Sequence, residues 1–445
     1  MLFFDSFNII ASKPKIVNTF SKNIFCDFFR FLFNFPTDND IMYVEKQRSD
    51  TMRVTVATDS FKGSLDSVSA GKALTEGIKR VYTDANVTVR PVADGGEGTV
   101  DTLVTGTNGR YEEVSVTGPL GEKITARYGI IDGNTAVVEM SAAAGITLVP
   151  DSLRNPLNTT TYGVGEIIKH ALDNGCRSFI VGIGGSATND GGTGMLSALG
   201  FEFLDADGNK IPLGAKGLEK LAVIKADKAD KRLSECEFNI ACDVTNPLTG
   251  EKGCSRIYGP QKGADEDMIV RMDAWLDRYA EIAKIVNPSS DKNYPGTGAA
   301  GGMGFAFMTF LNGTLKNGIK LILEKTHLED YVKDADIVIT GEGRLDGQTV
   351  MGKVPVGVAE IAKKHGKKVI AFSGCVTKEA TACNEHGIDA FFPILRGVVT
   401  LDEAMNPDNA YSNMADTAEQ VFRLISLFNQ AWDDNVRRCI QSLPI

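Results

Sequence analysis

From Met52 onward, short apolar runs alternate with helical stripes along the chain. Positions 53–58 form a β-branched apolar run that predicts a strand, followed by a polar loop over 59–64. A helical stripe over 67–82 begins at Asp66 or Ser67 as its cap. A second strand, 87–92, leads into the loop 94–98, giving the strand–loop–helix rhythm of an open α/β sheet. The rhythm then changes. Runs at 111–116, 125–131 and 135–139 are separated only by turn signals, with no room for helices between them. That predicts an antiparallel or mixed element, and hence a second domain.

Further on, a helix over 160–174 closes at Gly175, and a buried strand over 178–183 opens into the loop 184–192. The segment 201–211 predicts a hairpin turning at Asp207-Gly208, and 265–286 a long amphipathic helix. After the Gly-rich stretch 296–304, parallel units return: a strand at 336–340, a loop at 341–352, a helix at 354–365 and a strand at 369–373. The organisation this predicts is one open sheet interrupted by an inserted domain. Its parts are 52–115 with 290–430, and the insert 116–289.

Residues 1–51 differ in character and hold ten of the 23 phenylalanines. Asp5, Asp27 and Arg30 spoil a secretory pattern, six acidic residues argue against a transit peptide, and no run approaches the roughly 20 apolar residues of a membrane span. Two readings stand: a peripheral membrane or partner-binding segment, or a disordered or mis-assigned tail upstream of a start at Met52. The lack of periodicity favours the second.

Net charge is −10, which disfavours a broad nucleic-acid face. The eight cysteines form no C-x-x-C, and the four histidines show no zinc-like spacing beside them. Scattered cysteines predict reduced thiols in the cytoplasm, with no membrane association.

Ligands of open α/β sheets bind outside the carboxyl ends of the strands. Five polar, Gly-rich loops fall at predicted strand ends: 59–64, 94–98, 184–192, 341–347 and Ser373-Gly374. Glycines let backbone N–H groups approach a phosphate, and carboxylates among them can hold Mg²⁺. Two generic motifs come near and miss. Gly182-Ile-Gly-Gly-Ser-Ala187 imitates a dinucleotide fingerprint, with Glu202 as the acidic partner, but the loop continues where a helix should begin. A P-loop spacing from Gly347 to Lys353 ends in Val354, without the hydroxyl that binds magnesium.

Longer motifs are more specific. Thr58-Asp-Ser-Phe-Lys-Gly63, Ala93-Asp-Gly-Gly-Glu-Gly-Thr99, Gly182-Ile-Gly-Gly-Ser-Ala-Thr-Asn-Asp-Gly-Gly192 and Gly341-Glu-Gly-Arg-Leu-Asp346 resemble the glycerate kinase type-1 family. So do Gln348-Thr349 with Gly352-Lys-Val-Pro355, and Gly301-Gly-Met-Gly304. The resemblance runs from Met52 to about Leu427, and Gly347 departs from it where a small polar residue is expected.

The resemblance implies ATP, Mg²⁺ and D-glycerate, with 2-phosphoglycerate favoured over 3-phosphoglycerate. It also implies two α/β domains, a flavodoxin-like open parallel sheet and an inserted mixed-sheet domain, with the site between them. On these loops Asp190 is the expected base, with Lys62 and Arg344 as cations on the transferring phosphate or the glycerate carboxylate. Asp59, Ser60, Asp94, Gly95, Gly96, Glu97, Ser186, Thr188 and Asn189 are expected around glycerate. Gly184, Gly185, Gly341, Glu342, Ser373 and Gly374 are expected around the nucleotide, and Asp94 and Asp346 at the metal. A turn or capping role is the alternative for each carboxylate. Two other classes remain open: an NAD(P)-dependent dehydrogenase of a small hydroxy acid, and an anion-binding protein without turnover.

Overall fold

A computed structural model describes residues 51–441, so the reading of the N-terminal extension lies outside the described residues. Thirteen strands follow in chain order. The first six are β1 Arg53–Thr58, β2 Asn86–Val89, β3 Arg110–Thr117, β4 Lys123–Ile131, β5 Thr135–Glu139 and β6 Ser178–Gly182. The others are β7 Glu202–Leu204, β8 Val223–Lys225, β9 Glu237–Ala241, β10 Thr314–Lys316, β11 Ile337–Leu345, β12 Lys368–Val376 and β13 Ala390–Pro393.

One sheet has the order β13-β12-β11-β1-β2, and every pair in it is parallel. Renumbered within the sheet this is the flavodoxin order 2-1-3-4-5, whose switch point falls between β1 and β11. β1 is buried along nearly its whole length because helices cover both faces of a parallel sheet, hence its continuous apolar run. The other large sheet has the order β10-β9-β6-β5-β4-β3. There β3, β4 and β5 pair antiparallel, and β5, β6, β9 and β10 pair parallel. The architecture is thus α/β with one parallel and one mixed sheet.

The sheets share a core. Val137, Ile180 and Ala241 of the mixed sheet pack in one buried cluster with Ala57, Val338 and Ala371 of the parallel sheet. The opposite face of the mixed sheet carries its own cluster, including Phe179, Phe238 and Phe307 under helix Glu266–Val286 and its neighbours. Helix Pro407–Gln441 lies against helix Ser67–Lys79, where Gly77 admits the backbone of Ala415: a Cβ there would sit 2.1 Å from the Ala415 oxygen. Among the described residues no helix is long and apolar enough to cross a membrane.

The segment 201–211 turns back on itself at Asp207-Gly208 as expected: Leu204 bridges Lys210 antiparallel, Asp205 N–H donates to Asn209 O at 2.9 Å and Ile211 N–H to Phe203 O at 3.0 Å, while β7 pairs antiparallel with the distant β8 as well. The Asp205 carboxylate accepts from the N–H groups of Asp207 and Asn209 at 3.0 and 2.8 Å and so fixes the turn. Strands β11 and β12 run past their expected ends, pairing through Arg344↔Cys375 and Leu345↔Val376. Glycine counts against strand propensity, yet here it permits the pairing. A Cβ on Gly374 would stand 2.4 Å from the Gly343 oxygen.

Candidate functional site

At the switch point the N–H of Asp59 donates to Gly341 O at 2.9 Å, fastening the loop after β1 to β11. The turn that follows is closed by Phe61 N–H to Leu65 O at 2.7 Å, and Gly343 lies against the backbone of Phe61 and Lys62. The Asp59 carboxylate is 5% exposed and one oxygen accepts from Ser60 N–H at 2.7 Å. Burial pushes this carboxyl up to about 7, and the neighbouring Asp94 carboxylate adds to the rise.

Asp94 follows β2. One of its oxygens accepts from Gly96 N–H at 3.0 Å, and the other stands 3.8 Å from Lys62 Nζ. Glycines bring the loops of the mixed sheet onto this one. A Cβ on Gly182 would lie 2.4 Å from Gly95 O, one on Gly318 2.2 Å from Asp94 O, and one on Gly184 3.2 Å from Gly96 Cα. Gly95 itself has φ +90° and rests on Ala241. The carboxyl ends of β6, β9 and β10 therefore meet those of β1, β2 and β11, and the two sheets face each other across one cleft.

From β9 the chain adds Asp243, whose Oδ1 accepts from Asn317 Nδ2 at 2.6 Å and Gly318 N–H at 2.9 Å. Burial pushes Asp243 up to about 6, again with Asp94 contributing. From β5 comes Glu139, which accepts Val100 N–H at 2.8 Å and so ties helix Thr99–Thr107 to the mixed sheet; burial pushes it up to about 7.

On the far side of β11, Glu342 accepts from Thr349 Oγ1 at 2.6 Å, with Lys353 Nζ 3.9 Å from both Glu342 and Asp346. Burial raises the Glu342 carboxyl, and the Thr349 bond and Lys353 oppose that rise. Arg344 lies 3.5 Å from Asp346 with its side chain 63% exposed, leaving the guanidinium free to reach a ligand. Ser373 is fully buried. Its hydroxyl accepts from Leu345 N–H at 3.0 Å and donates to Cys375 O at 2.7 Å, so it braces the extended β11–β12 pair.

Asp190, the expected base, lies beneath its loop. Its carboxylate is 0% exposed and accepts from Thr161 N–H and Thr161 Oγ1, both at 2.9 Å, and from Gly192 N–H at 3.1 Å. Burial raises its pKa, and those donors pull it back. A carboxylate buried below the loop and held by three fixed donors presents no open face to a substrate hydroxyl. Thr188 and Asn189 are 0% exposed as well, Asn189 donating to Ser255 Oγ at 2.9 Å. Only the tip of that loop, Gly184 and Gly185 with the edge of Ser186, reaches the cleft. Gly301-Gly-Met-Gly304 forms its floor: Gly191 N–H donates to Gly301 O at 2.9 Å, and Gly301 at φ +65° meets Thr188 O where any Cβ would clash. Glu202 sits on β7, paired with Lys228 at 2.9 Å.

Asp243, Glu139 and Lys262 went unmarked in the sequence, and Lys353 was marked only within the Gly352-Lys-Val-Pro355 motif, without a role. Asp243 had a usable signal, an acid just past the apolar run of β9. Lys262 is fully buried with Nζ 2.8 Å from Ser186 Oγ and 2.6 Å from Thr188 O, and no local pattern announces it. Among the described residues no group of three or more His, Cys, Asp or Glu could hold a metal by itself.

Comparison with known proteins adds family relationships. The model of the glycerate kinase family matches residues 54–426. The glycerate 2-kinase of Escherichia coli K12 is 47% identical over 377 residues, 84% of this chain and 98% of that protein. A glycerate kinase of Bacillus subtilis 168 is 48% identical over 377 residues, again 84% of this chain and 98% of the relative. The solved structure of a glycerate kinase 2 from Salmonella typhimurium LT2 superposes with a TM-score of 0.78 at 46% identity, covering 86% of this chain and 100% of that one.

Proposed function

This chain belongs to the glycerate kinase family and is an enzyme that phosphorylates glycerate, and on that premise we propose that it moves the γ-phosphoryl group of ATP to the 2-hydroxyl of D-glycerate. The observation that carries the reading is the meeting of loops from both sheets in one cleft, where Lys62, Lys353 and Arg344 stand among Asp59, Asp94, Asp243, Glu342 and Asp346.

Phosphoryl transfer needs a base for the hydroxyl, cations for the phosphate charge and in-line positioning. We assign the base to Asp59. Ser60 N–H holds one of its oxygens, which leaves the other to take the hydroxyl proton as the new O–P bond forms and ADP departs. Its raised pKa puts its proton affinity near neutrality, where a general base is most effective. Lys62 on one side and Arg344 on the other neutralise the phosphate and the glycerate carboxylate. Asp190 becomes the residue that holds the 184–192 loop in shape.

Mg²⁺ fits this donor set in the manner usual for that ion, with one or two carboxylates and the remaining positions taken by water and phosphate. Asp94 raises the proton affinity of Asp243, and Lys62 stands 3.8 Å from Asp94, so a divalent cation between the two carboxylates would relieve their repulsion. The ion would supply charge neutralisation on the β- and γ-phosphates. Asp346 lies on the Lys353 side of Glu342 and serves there as a partner for Arg344 and Lys353.

Incubation with ATP, Mg²⁺ and D-glycerate, followed by phosphorus NMR, is expected to give 2-phosphoglycerate. The 3-isomer would keep the kinase and overturn the regiochemistry. NADH formed from NAD⁺ and glycerate, without phosphorylated product, would support the dehydrogenase reading. Because the family match begins at residue 54, a protein starting at Met52 is expected to keep its activity. A folded but inactive truncation would assign the upstream segment a part in the reaction.

A further inference from the structure

Lys262 lies in the turn Pro260–Lys262, outside every loop assigned to chemistry above, yet it is one of the largest fully buried side chains of the molecule. Its ammonium reaches under the 184–192 loop to Ser186 Oγ at 2.8 Å and Thr188 O at 2.6 Å. No carboxylate lies within ion-pair distance of it among the described residues. Burying an unpaired ammonium is costly, and a structural bolt could be built from uncharged groups.

Resting on the kinase reading, we infer that Lys262 is a positioning residue that makes the Ser186 hydroxyl an obligate hydrogen-bond donor to an anionic oxygen of the substrates in the cleft. An ammonium carries only donors, so Ser186 Oγ must accept from it. The serine's own proton is then left to donate, and it has no acceptor among the described residues. Ser186 stands next to the exposed Gly184 and Gly185, where the loop approaches Gly96. Its proton can thus meet a glycerate carboxylate or a phosphoryl oxygen, with the buried positive charge one bond behind it. The low dielectric around Lys262 strengthens that polarisation.

The arrangement has a chemical switch built in. A neutral amine would accept from the serine, turning the hydroxyl inward and withdrawing the donor. Burial pushes Lys262 down to about 8 against the pull of the buried Asp190 carboxylate, and the Cys254 thiol is the other titratable group facing it. Cys254 is itself pushed up to about 11 by burial, so it stays neutral across this range. Loss of the proton from Lys262 as pH rises through about 8 should therefore weaken substrate capture, and a bound anion should shift that loss to higher pH.

The test uses wild type, Lys262→Met, Ser186→Ala and the double variant of the full chain. Each single substitution is expected to lower kcat/KM by tenfold or more, in the range of lost oxyanion donors. The double variant should fall no further than the worse single, because the two groups act as one unit. The KM that rises tells which oxygen is read: that of glycerate for its carboxylate, that of ATP for the phosphate. Wild-type kcat/KM should decline above pH 8, and Lys262→Met should lack that decline. Met fills the lysine's volume but leaves Thr188 O without its donor, so a lower melting temperature is expected on either reading; the pH profile and the double-variant comparison are the readouts that a merely structural lysine would not move. Unchanged kcat/KM in Lys262→Met, multiplicative losses in the double variant, or a pH decline that persists without the lysine would each overturn the inference. Absence of glycerate turnover by wild type would instead overturn the kinase reading. In that case a thermal upshift by D-glycerate or inorganic phosphate, present in wild type and lost in both single variants, would still support the anion donor, and an equal upshift in all would end it.

Discussion

Asp59→Asn is expected to lower kcat by about 10² to 10⁴ while raising the melting temperature above pH 7. Asparagine keeps the shape of the side chain and still accepts from Ser60 N–H, but it cannot take the hydroxyl proton. The stability gain follows from linkage. Folded Asp59 has its pKa raised from the ordinary carboxyl value to about 7, chiefly by burial and then by Asp94. Between those two values the folded state holds a proton that the unfolded state has released. Stability is therefore greatest below the ordinary value and is lost as pH rises through about 7, by on the order of a few kcal/mol. The Asn variant escapes that loss. Melting curves in EDTA at pH 6 and pH 8, with initial rates from the same preparation, check both halves. The rising limb of the wild-type kcat/KM profile, with its inflection no higher than about 7, should vanish in the variant. A loss below about threefold would move the base to Asp94, since removing a true base typically costs far more.

Asp190→Asn should behave in the opposite way: the melting temperature falls, and turnover falls with it as the loop loosens. Three donors converge on this buried carboxylate from Thr161 and Gly192. An amide supplies one acceptor oxygen and turns a second position into a donor, so at least one N–H or O–H would face another donor in a site without water. Leaving such groups unpaired, and leaving the buried Lys262 without its balancing charge, costs about 2 to 4 kcal/mol. Thr161→Val should reproduce part of the loss, because the Thr161 hydroxyl also accepts from Met195 N–H at 2.9 Å. An Asp190→Asn protein that melts like wild type but turns over a hundredfold more slowly would return the base to Asp190.

These two aspartates show where sequence reasoning stopped. Both sit among glycines and hydroxyls, and both motifs suggest chemistry. Which one faces the cleft depends on what covers it. Asp190 is roofed by Thr161 and floored by the Gly301 backbone, from segments far away in sequence. Asp59 owes its raised proton affinity to burial and then to Asp94, which follows another strand. The same holds for Lys262, whose partners lie 76 and 74 residues upstream. Sequence spacing carries no signal for contacts of that range. Ser373 was expected at the nucleotide, but two short bonds turn its hydroxyl inward to brace a strand pair.

By itself the sequence determined the α/β class and placed glycine-rich loops at the ends of its strands. Each of these follows from local periodicity and from loops that only glycine permits. It also carried enough long motifs to point to the glycerate kinase family. The tertiary structure decided which loop residues are exposed to ligand and which are consumed in holding the loops. Exposure, dielectric and the pairing of every donor with an acceptor depend on neighbours that only folding brings together.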